Sequence, residues 1–177
     1  MALPASCSRR RSSRALEQGA YEEAKAYAFR LLSVRARTRR EMRERLARRG
    51  YSSDVVGAVE VMLVGLEYLD DAAFAEAWLD SKSASGPPGR ALALAGLARA
   101  GVPAQVASEV VGRRYEGLDE VGLALEAARR RIRRLGDLPE PVARRRLSAY
   151  LARRGFSREV VSEALRLIGE DSTDENG

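Results

Sequence analysis

Apolar residues recur at the three- and four-residue intervals of a helix face: Val55, Val59, Met62 and Leu66; Val106 and Val110; Val160, Ala164, Leu165 and Ile168. Each stripe follows the same kind of segment. LARRGYSSDVV runs from Leu46 to Val56, and LARRGFSREVV, from Leu151 to Val161, matches it at eight of eleven positions. A fainter copy, LARAGVPAQVA from Leu97 to Ala107, lies 51 residues after the first and 54 before the last. The near-constant spacing marks an internal repeat of three units.

Each copy spells helix, tight turn, helix. Gly50 and Gly155 stand just past the last helical residue, where a left-handed backbone costs glycine nothing. Leu46 with Tyr51, Leu97 with Val102 and Leu151 with Phe156 then make the apolar contact of a Schellman motif. Arg48, Arg49, Arg153 and Arg154 fall in last turns, where cations suit the helix dipole. Ser52 and Ser157 follow as N-caps of the next helix, with Pro103 in the middle copy. The helix before the first turn opens on T38-R39-R40-E41, a capping box that sets Met42 and Leu46 on one face.

Upstream, each unit carries an acidic pair, Glu22-Glu23, Asp70-Asp71 or Asp119-Glu120, which predicts the start of a further helix. The fold expected is all-α, with three tandem three-helix repeats at 20–67, 68–117 and 118–169. Residues 1–19, rich in Arg and Ser, and the acidic 170–177 read as disordered tails. SKSASGPPG, from Ser81 to Gly89, reads as a flexible connector.

Composition narrows the chemistry. The chain of 177 residues has no histidine and one cysteine, Cys7, so neither a disulfide framework nor a Cys/His metal site can be built. No apolar run is long enough to cross a bilayer, since the best, Val55 to Leu66, is broken by Glu60. A cytoplasmic protein without membrane contact is expected. There is no GxSxG, no GxxxxGK loop and no histidine to activate a serine, which leaves no catalytic, cofactor or metal residues to nominate. The acidic pairs recur in every unit, as a framework feature would, and Phe74 and Trp78, four apart on an apolar helix, read as packing residues.

Charge changes the picture more. The net charge is +6, and residues 30–49 hold nine arginines against two glutamates, residues 54–80 seven acids and no base, and residues 127–154 ten arginines against two acids. Such blocks suit nucleic acid, or a protein bound to it, as partner. An arginine paired on its own helix offers a partner less. Glu41 can reach Arg45, Glu44 can reach Arg48, Glu126 can reach Arg130 and Glu140 can reach Arg144. Arg131, Arg145 and Arg146 have no acid three or four residues away; with Arg129, which shares Glu126 with Arg130, they are the first candidates for partner or DNA contact. Arg35, Arg37, Arg39, Arg40 and Arg43 form a second group, with Arg39 and Arg43 near the core face of Met42 and Leu46.

Three segments also resemble blocks of the RecX family of recombinase regulators: AFRLLSVRARTRREMRERLARRG (Ala28 to Gly50), YLDDAAFAEAW (Tyr68 to Trp78) and ARRRLSAYLARRGFSREVV (Ala143 to Val161). They stand in the family's order and span about residues 22–168. Glu67 departs from a glycine common before the second block. The resemblance implies an elongated, curved helical array that binds the RecA recombinase and its filament on single-stranded DNA. It further implies a non-catalytic monomer that restrains filament growth, ATP hydrolysis and strand exchange in DNA repair, recombination and the SOS response. A helix-turn-helix-like DNA-binding protein is the alternative, and an enzyme of unrecognised type ranks last.

Overall fold

The computed structural model describes residues 6–83, 86–135 and 138–174, and side chains from residue 17 to residue 170. Among the described residues there are nine helices and no strand: α1 (Ser6–Val34), α2 (Arg39–Arg48), α3 (Ser53–Gly65), α4 (Asp71–Ser83), α5 (Arg90–Ala100), α6 (Ala104–Tyr115), α7 (Glu120–Ile132), α8 (Glu140–Arg153) and α9 (Arg158–Asp174). The fold is an all-α helical repeat. In space the chain forms two compact units, Met1–Phe74 with Ala100–Val102, and Ala75–Arg99 with Pro103–Gly177.

Local chemistry sets the helix ends. Thr38, Ser52 and Ser157 accept the backbone N–H of Glu41, Val55 and Val160 at 3.2, 3.4 and 3.3 Å. Asp70 accepts from Ala72 and Ala73, and Asp119 from Gly122, so these acids cap α4 and α7. Glu22 and Glu23 differ. They lie inside α1, which begins at Ser6, and Glu22 pairs with Lys25. The absence of any proline between Ser6 and Val34, and a run of good helix formers from Arg14 on, let one helix propagate through the expected break. Helix runs over 6–19 and 170–174, stretches expected as tails; residues 1–5 and 175–177 lie outside the described ones.

The two strong turns are built alike. Gly50 (φ +93°) and Gly155 (φ +85°) are left-handed, with Tyr51 N–H donating to Leu46 O at 3.4 Å and Phe156 N–H to Leu151 O at 3.3 Å. The paired bonds, Gly50 N–H to Ala47 O and Gly155 N–H to Ala152 O, complete the Schellman pattern. Leu46 and Leu151 are fully buried below them. In the first unit Leu46 packs with Ala24, Ala28, Met42, Val59 and Leu63; in the third repeat Leu151 packs with Ala124, Ala128, Leu147, Phe156 and Ala164. Leu66, expected in the first core, is exposed at the C-cap of α3, where the drift of the helix turns it outward and Leu63 takes the buried place.

Within each compact unit a middle helix starts against a glycine turn from the following repeat. Thr38 Oγ1 donates to Ala100 O at 3.0 Å, and a Cβ at Gly101 would lie 2.9 Å from that hydroxyl. At α5, Gly89 N–H donates to Arg154 O at 2.7 Å and Ala91 N–H to Gly155 O at 3.2 Å. Orphan donors of one helix start thus meet orphan acceptors of another's end. A Cβ at Gly89 or at Gly155 would overlap the opposing backbone.

These contacts also revise the connector. Arg154 donates to Gly86 O at 2.8 Å and to Pro87 O at 3.3 Å, and the Tyr115 hydroxyl donates to Pro88 O. Residues 86–89 are held from two sides rather than hanging as a flexible link; Ala84 and Ser85 lie outside the described residues.

Candidate partner-binding surface

The arginines of the first unit are largely absorbed by their own fold. Arg37 is only 7% exposed; its guanidinium donates to Leu31 O at 3.1 Å and to the Glu41 carboxylate, tying the end of α1 to α2. Arg35 reaches the same carboxylate at 2.6 Å and Arg45 at 3.7 Å. Arg39 and Arg43 converge on the buried Glu60 at 2.8 and 3.6 Å, and Arg40 shares Glu44 with Arg48. Arg37 is a structural residue with little to offer a partner. Arg35, Arg39, Arg40 and Arg43 remain exposed at their tips but carry a nearby acid.

Glu41 gathers enough charge to show in its acidity. Partial burial raises its pKa, but hydrogen bonds from Arg35 and Arg37 and their positive charge outweigh it and hold the carboxyl below the ordinary value of 4.5. A folded pKa below the unfolded one contributes stability present above pH 4.5 and lost as pH falls through the lowered value. Glu41→Gln should therefore melt below the parent at neutral pH, with the gap closing in acid. A gap that stays constant between neutral and strongly acidic solution would remove Glu41 from this role.

The third repeat is different. Arg145 and Arg146 stand exposed on α8, and among the described residues neither forms an ion pair. Glu126 pairs with Arg130 at 3.2 Å as its spacing predicts, whereas Glu140 and Arg144 form no such pair among the described residues. Arg131 is drawn to an aromatic ring, its guanidinium 5.6 Å from the centroid of Tyr150, with Arg154 at 6.0 Å from the same ring. Arg129 lies exposed at the end of α7 and has an interaction of its own.

Arg145 borders an open groove of about 750 Å³ between α8 and α9. Its floor includes Ala152, Phe156, Val161 and Leu165; its rim includes Arg144, Arg145 and Arg158, with no acid in the lining. The positions follow from helix geometry, since Pro141, Arg144, Arg145, Ser148 and Ala152 share one face of α8. Arg144 and Arg158 are members that reasoning from charge pairs misses. The signal available was that periodicity, together with the turn that folds α9 back beside α8.

Such a groove can hold an anionic or amphipathic segment. No metal-binding group of acids is found among the described residues, and no helix is long and apolar enough to cross a membrane.

Comparison with known proteins supplies the lineage. A model of the RecX first three-helix domain matches residues 24–59, and one of the third three-helix domain matches residues 119–165. The regulatory protein RecX of Amycolatopsis mediterranei (strain U-32) is 36% identical over 157 residues, covering 86% of this chain and 89% of its relative. That of Mycobacterium ulcerans (strain Agy99) is 40% identical over 149 residues, covering 81% and 83%. The crystal structure of RecX from Lactobacillus salivarius superimposes with a TM-score of 0.76 at 18% identity, over 86% of this chain and 98% of that one, and so shows a shared fold. Three-helix repeats, two matched domains and relatives aligned over most of their length make this chain a member of the RecX family of regulatory proteins.

Proposed function

We propose that the chain is a non-catalytic, monomeric regulator that binds the RecA recombinase and its filament on single-stranded DNA. It restrains filament growth, ATP hydrolysis and strand exchange, and so acts in the cytoplasm in DNA repair, recombination and the SOS response. Family membership carries this reading. The groove of Arg144, Arg145 and Arg158, with Arg146 beside it, supports it as a surface matched to an acidic or phosphate-bearing partner.

Titration of the chain into preformed filaments of its cognate RecA tests the reading. DNA-stimulated ATP hydrolysis and strand exchange should both fall, while the chain alone hydrolyses no ATP. Filaments that hydrolyse ATP and exchange strands at unchanged rates across the titration would exclude a restraining role. The same basic groove leaves a second reading, a helix-turn-helix-like DNA-binding protein; saturable, sequence-preferring binding to bare duplex would favour it.

A further inference from the structure

A second cavity, of about 360 Å³, lies within the unit formed by the second and third repeats. Trp78 and Lys82 line it from α4, Pro88 from the connector, Leu92, Gly96 and Arg99 from α5, and Arg154 from the end of α8. Apolar groups form the floor. Cations form the rim, and no acid is among the lining residues.

The sequence reading of Trp78 as a plain packing residue accounts for only part of what is seen. The indole rests directly on α5 because position 96 is glycine; a Cβ there would overlap its six-membered ring. That contact fixes the ring plane, yet the residue stays partly exposed and faces an open cavity instead of a filled core. Lys82, one turn along α4, places its ammonium 5.5 Å from the ring centroid. Leu92, 41% exposed, lines the same cavity and adds apolar surface beside the ring. Arg154 brings a full charge; its partners among the described residues are the Gly86 and Pro87 carbonyls and the Tyr150 hydroxyl, with no carboxylate, and its buried Nε has no acceptor among them.

A flat aromatic floor under a cationic rim is the combination that binds an unpaired base through its face and the adjoining phosphates through their charge. The volume is at the lower end for a small-molecule site and suits one nucleotide. An acidic peptide would satisfy the rim and leave Trp78 and Leu92 wet. We infer that this cavity is a single-stranded nucleic acid contact in which one unpaired base stacks on Trp78 and its phosphates lie between Lys82, Arg99 and Arg154. The inference does not rest on recombinase binding, and its test contains no recombinase.

Trp78 is the only tryptophan in the chain, so its fluorescence reports this cavity alone. The intact protein is titrated with a short oligothymidylate, an abasic strand of equal length, thymidine monophosphate at equal nucleotide concentration, and oligoglutamate. Saturable quenching by oligothymidylate is expected, with little quenching by the other three. Lys82→Glu with Arg99→Glu, at exposed positions, should leave the helical circular dichroism intact and weaken that binding by about tenfold or more. No quenching by oligothymidylate, equal quenching by the abasic strand, or parental affinity in the folded double variant would overturn the stacking site. Equal quenching by the mononucleotide would make it a free-nucleotide site, and by oligoglutamate an acidic-peptide site; either also overturns the inference.

Discussion

Alanine in place of Gly155 is expected to lower the melting midpoint by roughly 6–12 °C, against about 2–4 °C for alanine at Gly50. Both glycines are left-handed, and the backbone strain of a Cβ there is about 1 kcal/mol in each case. The surroundings separate them. Nothing lies within 4 Å of a Cβ built at Gly50, whereas at Gly155 it would overlap the Leu92 amide and side chain. Relieving that overlap means moving α5 off the turn and lengthening the bonds from Gly89 and Ala91, for a total of about 3 kcal/mol. Thermal melts of the two variants beside the parent decide it, and equal shifts would show that the turn of the third repeat is not a docking point.

Reversing the charge of Arg145 and Arg146 together is expected to weaken binding to the RecA filament by tenfold or more. Two exposed cations become anions beside a groove whose rim holds Arg144 and Arg158, so attraction for an acidic or phosphate-bearing partner is lost. Fewer counterions are then released, and affinity should fall less steeply with added salt than in the parent. Stability should hardly change, because exposed helix charges without a partner contribute little. A folded Arg145→Glu, Arg146→Glu variant that keeps the parental affinity and salt slope would reduce this face to a solvated one.

Features set by neighbours in sequence were legible. The turns of Gly50 and Gly155, the caps at Thr38, Ser52 and Ser157, and the pairs Glu41 with Arg45, Glu44 with Arg48 and Glu126 with Arg130 all span six residues or fewer, and the backbone of one or two helices fixes them. Longer reaches were not legible. Asp71, read as a dipole complement for its own helix, accepts the backbone N–H of Arg39 at 2.9 Å, 32 residues away, and Glu60 draws in Arg39 and Arg43 from another helix. Periodicity says which face a helix buries and nothing about which partner it meets. Hence the first-unit arginines looked more available than they are, and Arg37 most of all. Trp78 is the reverse case: its spacing fits a core face, but only the glycine opposite, Gly96, and the cavity beside it reveal an unfilled neighbour.

The start of α8 differs chemically from the start of α5. In α5 the residue before the helix and the second helical residue, Gly89 and Ala91, supply the N–H groups that fasten it to the next turn. In α8 those two places are Pro139 and Pro141, whose ring nitrogens carry no hydrogen. A fourth repeat, or the open Gly50 turn of another copy, would find no donor there to join by this bond. The three middle helices thus start in three chemically different ways: a hydroxyl at α2, two backbone N–H groups at α5, and two proline nitrogens without a hydrogen at α8.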